Sequence, residues 1–138
     1  MKALDTSVLI GLLEGDPGVH ALLKRLRGVE LAATETNLLE LTQIACRGPK
    51  RSRAARRAAL ERLRRKITVL PINGRATEEV GRHLLKAEIR VLPHVLEMLG
   101  ALEANGCDEV FTMDAPHAWG RWRFKVTRVK RKDTKTGR

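Results

Sequence analysis

The chain has 138 residues, of which 43% are hydrophobic, and its 27 basic and 16 acidic side chains give a net charge of +11. This length is typical of one ordinary domain, and the hydrophobic content excludes general disorder. Aromatic side chains make up only 3% of the residues and Tyr is absent, which argues against a protein that binds single strands by base stacking.

Membrane insertion and secretion are not expected. No apolar stretch approaches the roughly 20 residues of a membrane span, and Asp5 interrupts what would be the apolar part of a signal peptide. We therefore expect a cytoplasmic protein. The two cysteines, Cys46 and Cys107, are far apart and form no CxxC pair, so we expect both to be buried reduced thiols.

Short apolar runs alternate with helical patterns along the chain. In chain order, the runs that predict strands are residues 2–4, 29–33, 67–72, 109–113 and 124–129. The first pattern that predicts a helix begins directly after Asp5. The other helical patterns run from Asp16-Pro17 to Gly28, from 34–37 to Gly48-Pro49, over 51–66, from Thr77 to Ile89 and from His94 to Asn105. Asn73-Gly74 predicts a turn. The alternation is typical of one α/β domain with a mainly parallel sheet, which we place at residues 1–129.

Two segments carry most of the positive charge. Residues 47–66 contain ten Lys or Arg and one acid, and residues 121–138 contain nine and one. In the first segment Leu60, Leu63 and Ile67 lie on one side of a helix, which leaves a cationic face for nucleic-acid phosphates. The side chains that we predict to bind phosphates are Arg51, Arg53, Arg56, Arg57 and Arg64. An acidic partner protein is the alternative, and residues 130–138 are expected to be a disordered basic tail.

Three acids are notable for their positions. Asp5 and Asp114 each follow an apolar strand, and ligands of parallel sheets gather at the carboxyl ends of the strands. Glu40 lies in an apolar helical context, where a charge is costly unless it is paired or binds a metal. Clustered carboxylates without Cys or His point to Mg²⁺ or Mn²⁺. The alternatives are that Asp5 or Asp114 only caps a helix and that Glu40 pairs with a basic side chain.

The residues around these acids resemble three motifs of the PIN-domain ribonucleases, in particular the VapC toxins of prokaryotic toxin–antitoxin pairs. The motifs are residues 4–10, residues 38–41 and residues 106–114. The resemblance implies a three-layer PIN-like α/β fold, in which a mainly parallel sheet of about five strands is flanked by helices. It also implies divalent-metal-dependent cleavage of RNA, an antitoxin as a candidate partner, and frequent homodimerisation.

Site residues can be carried over where the motifs match. The metal-binding acids of the family fall on Asp5, Glu40 and Asp114, which are therefore the candidate catalytic residues. Thr6 and Thr112 match positions whose hydroxyl groups support the acidic site.

The sequence departs from the family pattern at the start of the helix that precedes the third motif. The family usually has another Asp there, whereas this chain has no Asp within residues 92–99. Glu97 lies three residues beyond His94 on nearly the same helix face, and its longer side chain is the candidate fourth catalytic acid. His94 could instead hold a water or a phosphate, or merely cap the helix while Glu97 faces solvent. The missing acid leaves open a second function, a weak or inactive PIN-like module that binds RNA or a partner.

Overall fold

The computed structural model describes residues 1–130. Its strands are β1 (Lys2–Leu4), β2 (Leu31–Thr34), β3 (Thr68–Leu70), β4 (Glu109–Thr112) and β5 (Lys125–Arg128). Its helices are α1 (Thr6–Glu14), α2 (Pro17–Arg25), α3 (Glu35–Cys46), α4 (Lys50–Lys66), α5 (Gly74–Lys86) and α6 (Pro93–Ala104). A short 3₁₀ helix follows at Pro116–Trp119. None of the helices in this part of the chain is long and apolar enough to cross a membrane.

The five strands form one sheet in the order β3-β2-β1-β4-β5, and every neighbouring pair is parallel. The first strand is therefore the central one, with Ala3 aligned to Ala32 on one side and to Val110 on the other. Because parallel strands all end at the same edge of a sheet, the residues that follow β1, β2 and β4 meet there. This arrangement confirms the predicted parallel α/β fold.

Apolar side chains cover both faces of the sheet, because successive residues of a strand point to opposite sides. Leu4 and Phe111 pack into one cluster with residues of α1, α2, α3 and α4. Ala3 and Val110 belong to a second cluster, which contains residues of α6 together with Trp119 and Phe124. The result is the three-layer architecture that was expected, with the sheet between two helical layers.

Side-chain caps start three of the helices at the sheet edge or close to it. Asp5 caps α1, Asp16 caps α2 ahead of Pro17, and the side chain of Thr34 accepts a hydrogen bond from the backbone N–H of Asn37 at the start of α3. These caps occur at residue types that favour the N-cap because a side-chain oxygen satisfies an otherwise unpaired N–H group. The caps at Asp5 and Thr34 fix the direction in which the chain leaves β1 and β2.

Three local predictions differ from the structure. Asn73-Gly74 is not a turn, because Asn73 caps α5, which begins at Gly74 and ends at Lys86 instead of spanning residues 77–89. Cys46, the last residue of α3, is exposed, whereas Cys107 is buried as expected. The domain boundary at residue 129 stays a prediction. Residues 131–138 of the predicted tail lie outside the described residues.

Candidate active site

Asp5 is the most deeply buried carboxylate at the edge where the strands end. It is only 7% exposed, and Oδ1 accepts a 2.8 Å hydrogen bond from the backbone N–H of Thr6. Oδ2 accepts hydrogen bonds from Oγ1 of Thr112 at 2.7 Å and from Oγ of Ser7 at 3.3 Å. Burial raises the pKa of Asp5, and the nearby Asp114 adds to this effect, while the hydrogen bonds from Thr112 and Thr6 oppose it. Asp5 thus caps α1, but it also brings a costly charge to the site.

A chain of hydrogen bonds joins Asp5 to Glu40 through two neutral side chains. Nδ2 of Asn37 lies 2.9 Å from Oγ1 of Thr6 and 3.4 Å from Oδ1 of Asp5, and it donates to both. Oγ1 of Thr6 donates in turn to Oε1 of Glu40 at 2.7 Å. Oδ1 of Asn37 accepts a 2.8 Å hydrogen bond from Oγ1 of Thr34, and this bond directs the amide N–H groups of Asn37 towards the site. Thr6 and Thr112 thus each donate a hydrogen bond to a carboxylate, to Glu40 and to Asp5 respectively.

Asp114 reaches the same edge from the end of β4. Its backbone N–H donates to Oγ1 of Thr112 at 3.0 Å, and its side chain is exposed. The backbone N–H of Met113 donates to Oγ of Ser7 at 2.8 Å, which ties this segment to the first turn of α1. The residues that follow β1 and β4 are consequently held together by their own polar groups.

The three candidate acids line one open cavity of about 320 Å³. Other residues of its wall come from α1, α3, α6 and the 3₁₀ helix, and they include Ser7, Asn37, His94, Met98 and Trp119. The cavity combines hard oxygen donors with a partly apolar wall, which is typical of a small polar site that excludes part of the bulk water. The convergence of Asp5, Glu40 and Asp114 on one cavity agrees with the sequence-based expectation.

The donor set of this cavity fits a divalent cation that keeps several water ligands. Three carboxylates face it, and mutual repulsion between Asp5 and Asp114 is relieved when a cation lies between them. They are not a closed set, because no three potential metal ligands here lie within 4.8 Å of one another. Mg²⁺ binds through one or two carboxylates and water instead of a full protein cage.

A tighter group of possible metal ligands lies elsewhere. Within residues 1–130, only Glu79, His83 and Glu103 place three ligand atoms within 4.8 Å of one another. His83 is hydrogen-bonded to Glu103 and stacks on Trp122, with the ring centroids 3.8 Å apart. Glu103 also accepts a 2.6 Å hydrogen bond from the backbone N–H of Arg123. These contacts tie α5, α6 and the segment before β5 together, so the group has a structural role without a metal.

The structure does not bring Glu97 to the acidic cavity. Its carboxylate is exposed and accepts a 3.0 Å hydrogen bond from Oγ1 of Thr36. Glu97 is three positions after His94, so its side chain is turned by roughly 60° around the helix axis and lies about 4.5 Å further along it. This offset places Glu97 outside the cavity that His94 lines. His94 does line the cavity, and its Nε2 lies 3.8 Å from Oε2 of Glu40.

The predicted phosphate-binding arginines of α4 differ in their exposure to solvent and in their contacts within the protein. Arg51, Arg57 and Arg64 are exposed and free to meet a ligand, whereas Arg53 is half-buried. Arg56 is instead used within the protein, because its guanidinium donates to the carbonyl oxygens of Ala45 at 2.9 Å and Arg47 at 2.6 Å. It satisfies the end of α3, and its prediction as a free phosphate ligand is not supported by this placement.

Sequence reasoning missed two polar residues of the site. Ser7 lies in the first motif, and Asn37 lies where the sequence predicts the start of a helix. The structure shows Ser7 bridging Asp5 and Met113, and Asn37 bridging Asp5 and Thr6. A usable signal for Asn37 was its position three residues after Thr34 and three before Glu40, on the helix face that carries the acid.

The comparisons with known proteins point to the same fold. Residues 2–102 match the family model described as PIN domain. A chain in the crystal structure of VapBC2 from Rickettsia felis, bound to a DNA fragment from their promoter, matches with a TM-score of 0.76 and 13% identity, over 92% of this chain and 97% of that chain. The VapBC-5 structure from Mycobacterium tuberculosis matches with 27% identity and a TM-score of 0.67, over 93% and 98% of the two chains.

A third structure is relevant because its description includes a target. It is the crystal structure of Mycobacterium tuberculosis VapC20, described as a sarcin-ricin loop cleaving toxin, with 20% identity and a TM-score of 0.61 over 91% of this chain and 99% of that chain. No match is found among the curated proteins.

Proposed function

The chain belongs to the PIN-domain family, and we propose that it is a divalent-metal-dependent ribonuclease that acts as the toxin of a toxin–antitoxin pair. The observation that carries the proposal is the single cavity shared by Asp5, Glu40 and Asp114 at the ends of β1 and β4. The similarity to VapC20, a toxin described as cleaving the sarcin-ricin loop, supports RNA as the substrate class.

The residues of the cavity have separate tasks in this proposal. Asp5, Glu40 and Asp114 hold Mg²⁺ or Mn²⁺ with the help of water ligands. The ion, when bound, supplies an activated water and neutralises charge on the phosphate that is cut. Thr112 and Thr6 hold the carboxylates of Asp5 and Glu40 in place through the hydrogen bonds described above. This pre-organisation limits the reorganisation that the reaction requires.

The exposed arginines of α4 bind phosphates on either side of the cleaved bond. Arg51, Arg57 and Arg64 have no internal ion pair among the described residues, so each remains available to RNA. Contacts to phosphates give affinity and orientation but little sequence selection. The sequence that is cut is therefore chosen by other contacts.

An antitoxin is the proposed protein partner. Several of the similar structures are VapBC complexes, among them those from Rickettsia felis and Mycobacterium tuberculosis. Homodimerisation remains a prediction from the family resemblance, and light scattering of the purified protein measures it directly.

One observation favours a second candidate function, a weak or inactive module that binds RNA or a partner. The side chain of α6 that lies 3.8 Å from Glu40 is His94, and the first acid on that helix, Glu97, accepts a hydrogen bond from Thr36 outside the cavity. A cavity with one carboxylate fewer holds a divalent cation less tightly. Binding of RNA without cleavage at any metal concentration would support this function.

Cleavage of a labelled RNA, with and without EDTA, tests the main proposal. We expect EDTA to abolish cleavage and Asp5→Asn or Asp114→Ala to slow it by at least ~100-fold, because several kcal/mol of charge stabilisation depend on the ion. RNA binding by Asp5→Asn should be retained. Asp108→Asn is the matched control, since Asp108 is an exposed acid that pairs with Lys2 outside the cavity. Cleavage by Asp5→Asn at the wild-type rate would contradict the proposal.

A further inference from the structure

We infer that His94 is itself a ligand of the metal ion, and that the cavity therefore selects a divalent transition-metal ion over Mg²⁺. The inference rests on the proposed metal-dependent function, and it names the class of ion that this function uses. It depends on the geometry of His94 and Glu40 and on the ligand chemistry of imidazole.

His94 and Glu40 face each other at the cavity, and neither of the two facing atoms, Nε2 and Oε2, makes a hydrogen bond within residues 1–130. Oε1 of Glu40 accepts the hydrogen bond from Thr6, whereas Oε2 points to the imidazole and receives no hydrogen bond within residues 1–130. His94 makes no hydrogen bond in that part of the chain either, and its side chain is 45% exposed.

The distance between the two groups suits an ion better than a direct contact. Nε2 of His94 and Oε2 of Glu40 are 3.8 Å apart, which exceeds the length of a hydrogen bond. Two ligands that each lie about 2.1 Å from one metal ion are about 3.0 Å apart at right angles and about 4.2 Å apart when opposite. The observed separation lies between these limits, so one small cation fits between the two atoms without movement of either helix.

The type of donor atom decides which ion is preferred. Carboxylate oxygens suit Mg²⁺ and Mn²⁺ alike, whereas an imidazole nitrogen favours transition metals and is a poor ligand for Mg²⁺. A site that contains His94 beside Glu40 therefore binds a metal of the Mn²⁺ to Zn²⁺ series more tightly than Mg²⁺. An aspartate in place of His94 would give an all-oxygen site and remove this preference.

Electron paramagnetic resonance of the full chain with Mn²⁺ alone tests the inference without reference to activity. In the wild type, pulsed measurements should detect coupling of bound Mn²⁺ to one ¹⁴N nucleus of an imidazole. His94→Ala should lose this coupling and bind Mn²⁺ at least ~10-fold more weakly, since even the loss of an outer hydrogen-bond partner has an effect of this size. His20→Ala is the control, because His20 is exposed on α2.

Competition with Mg²⁺ gives a second readout. We expect Mg²⁺ to displace Mn²⁺ from His94→Asp at a concentration at least ~10-fold lower than from the wild type. Bound Mn²⁺ without ¹⁴N coupling, or coupling that persists in His94→Ala, would overturn the role of His94 while leaving the proposed ribonuclease intact. Failure of the wild type to bind Mn²⁺, together with cleavage that EDTA does not affect, would instead overturn the proposed function.

Discussion

Oγ1 of Thr112 donates a 2.7 Å hydrogen bond to Oδ2 of Asp5, and the two residues are separated by 107 positions in the sequence. The bond links the end of β4 to the end of β1 and holds the buried carboxylate at the cavity. Asp114, two residues after Thr112, uses the same hydroxyl as an acceptor for its backbone N–H. Thr112 therefore positions two of the three candidate acids.

The buried charge of Asp5 predicts a pH-dependent gain of stability in Asp5→Asn. Burial raises the pKa of Asp5 above its ordinary value of 3.8, so the folded protein binds this proton more tightly than the unfolded chain does. The free energy of unfolding consequently falls as pH rises from 3.8 through the higher pKa that Asp5 has in the folded protein. The loss is complete above that higher pKa. Asparagine avoids this loss. The free energy of unfolding of Asp5→Asn minus that of the wild type should therefore be larger at about pH 7 than at about pH 3.5.

Urea unfolding in the presence of EDTA measures this difference. Asp108→Asn serves as a control of opposite sign, because the hydrogen bond with Lys2 lowers the pKa of Asp108. The ionised Asp108 carboxylate stabilises the wild-type fold above the ordinary pKa of 3.8, and this stabilisation is lost as pH falls through the lowered pKa of the folded protein. An Asp5→Asn effect that does not change between the two pH values would show that desolvation of Asp5 is unimportant.

Substitution of Arg56 and of Arg57 should have different consequences, although the two are neighbours in sequence. Arg56→Ala removes the donor to the carbonyl oxygens of Ala45 and Arg47, and we expect the free energy of unfolding to fall by about 1–3 kcal/mol. Arg57→Ala should leave stability nearly unchanged. It should instead weaken RNA binding and reduce the salt dependence of log K by about 0.7, the value for one phosphate contact on a single strand.

Chemical denaturation and RNA titrations at several salt concentrations separate these two effects. Equal loss of stability in both variants would contradict the structural role of Arg56. An unchanged salt dependence in Arg57→Ala would show that this part of α4 does not contact RNA.

The two cysteines should differ in reactivity. Cys107 is buried, and burial raises the pKa of its thiol to about 11, whereas Cys46 is exposed at the end of α3. Since the thiolate is the reactive form, iodoacetamide at about pH 8 should modify Cys46 alone in the folded protein and both residues in urea. Intact mass spectrometry counts the adducts. Rapid double modification of the native protein would contradict the burial of Cys107.

At Gly100, α6 lies close against α5. A Cβ atom at this position would overlap the carbonyl oxygen of Ala76 and come within 2.6 Å of Cγ2 of Val80. Gly100→Ala should therefore lower the free energy of unfolding by about 1–3 kcal/mol. Gly81→Ala is the matched control on α5, because nothing lies within 4 Å of the added atom, and it should raise stability by about 0.5–1 kcal/mol. Thermal unfolding of both variants compares the two, and a stabilising Gly100→Ala would contradict the described packing.

The position of the acids could be predicted because it depends on a general property of parallel sheets. Asp5 directly follows β1 and Asp114 lies two residues after β4, and because these strands are neighbours the two carboxylates lie at one edge. Glu40 could be located because a charge within an apolar helical pattern needs a partner, which here includes the hydroxyl of Thr6.

Other features could not be predicted because they depend on how elements are packed. The spacing of Glu97 and His94 gives their relation on one helix, but not which turn of α6 borders the cavity. In the same way, helical periodicity does not distinguish Arg56 from Arg57, since the role of Arg56 depends on where α3 ends nearby. Asn73-Gly74 is a frequent turn sequence, and only the side-chain cap on Ala76 shows that it begins a helix.

The central place of β1 has a consequence for protein synthesis. β1 is translated before β4, one of its two neighbouring strands, which begins only at Glu109. Until that segment has been translated, Asp5 has neither Thr112 as a partner nor Asp114 beside it. The cavity that the three candidate acids share therefore forms only after β4 and Asp114 have been translated, and a chain that stops before Glu109 lacks it.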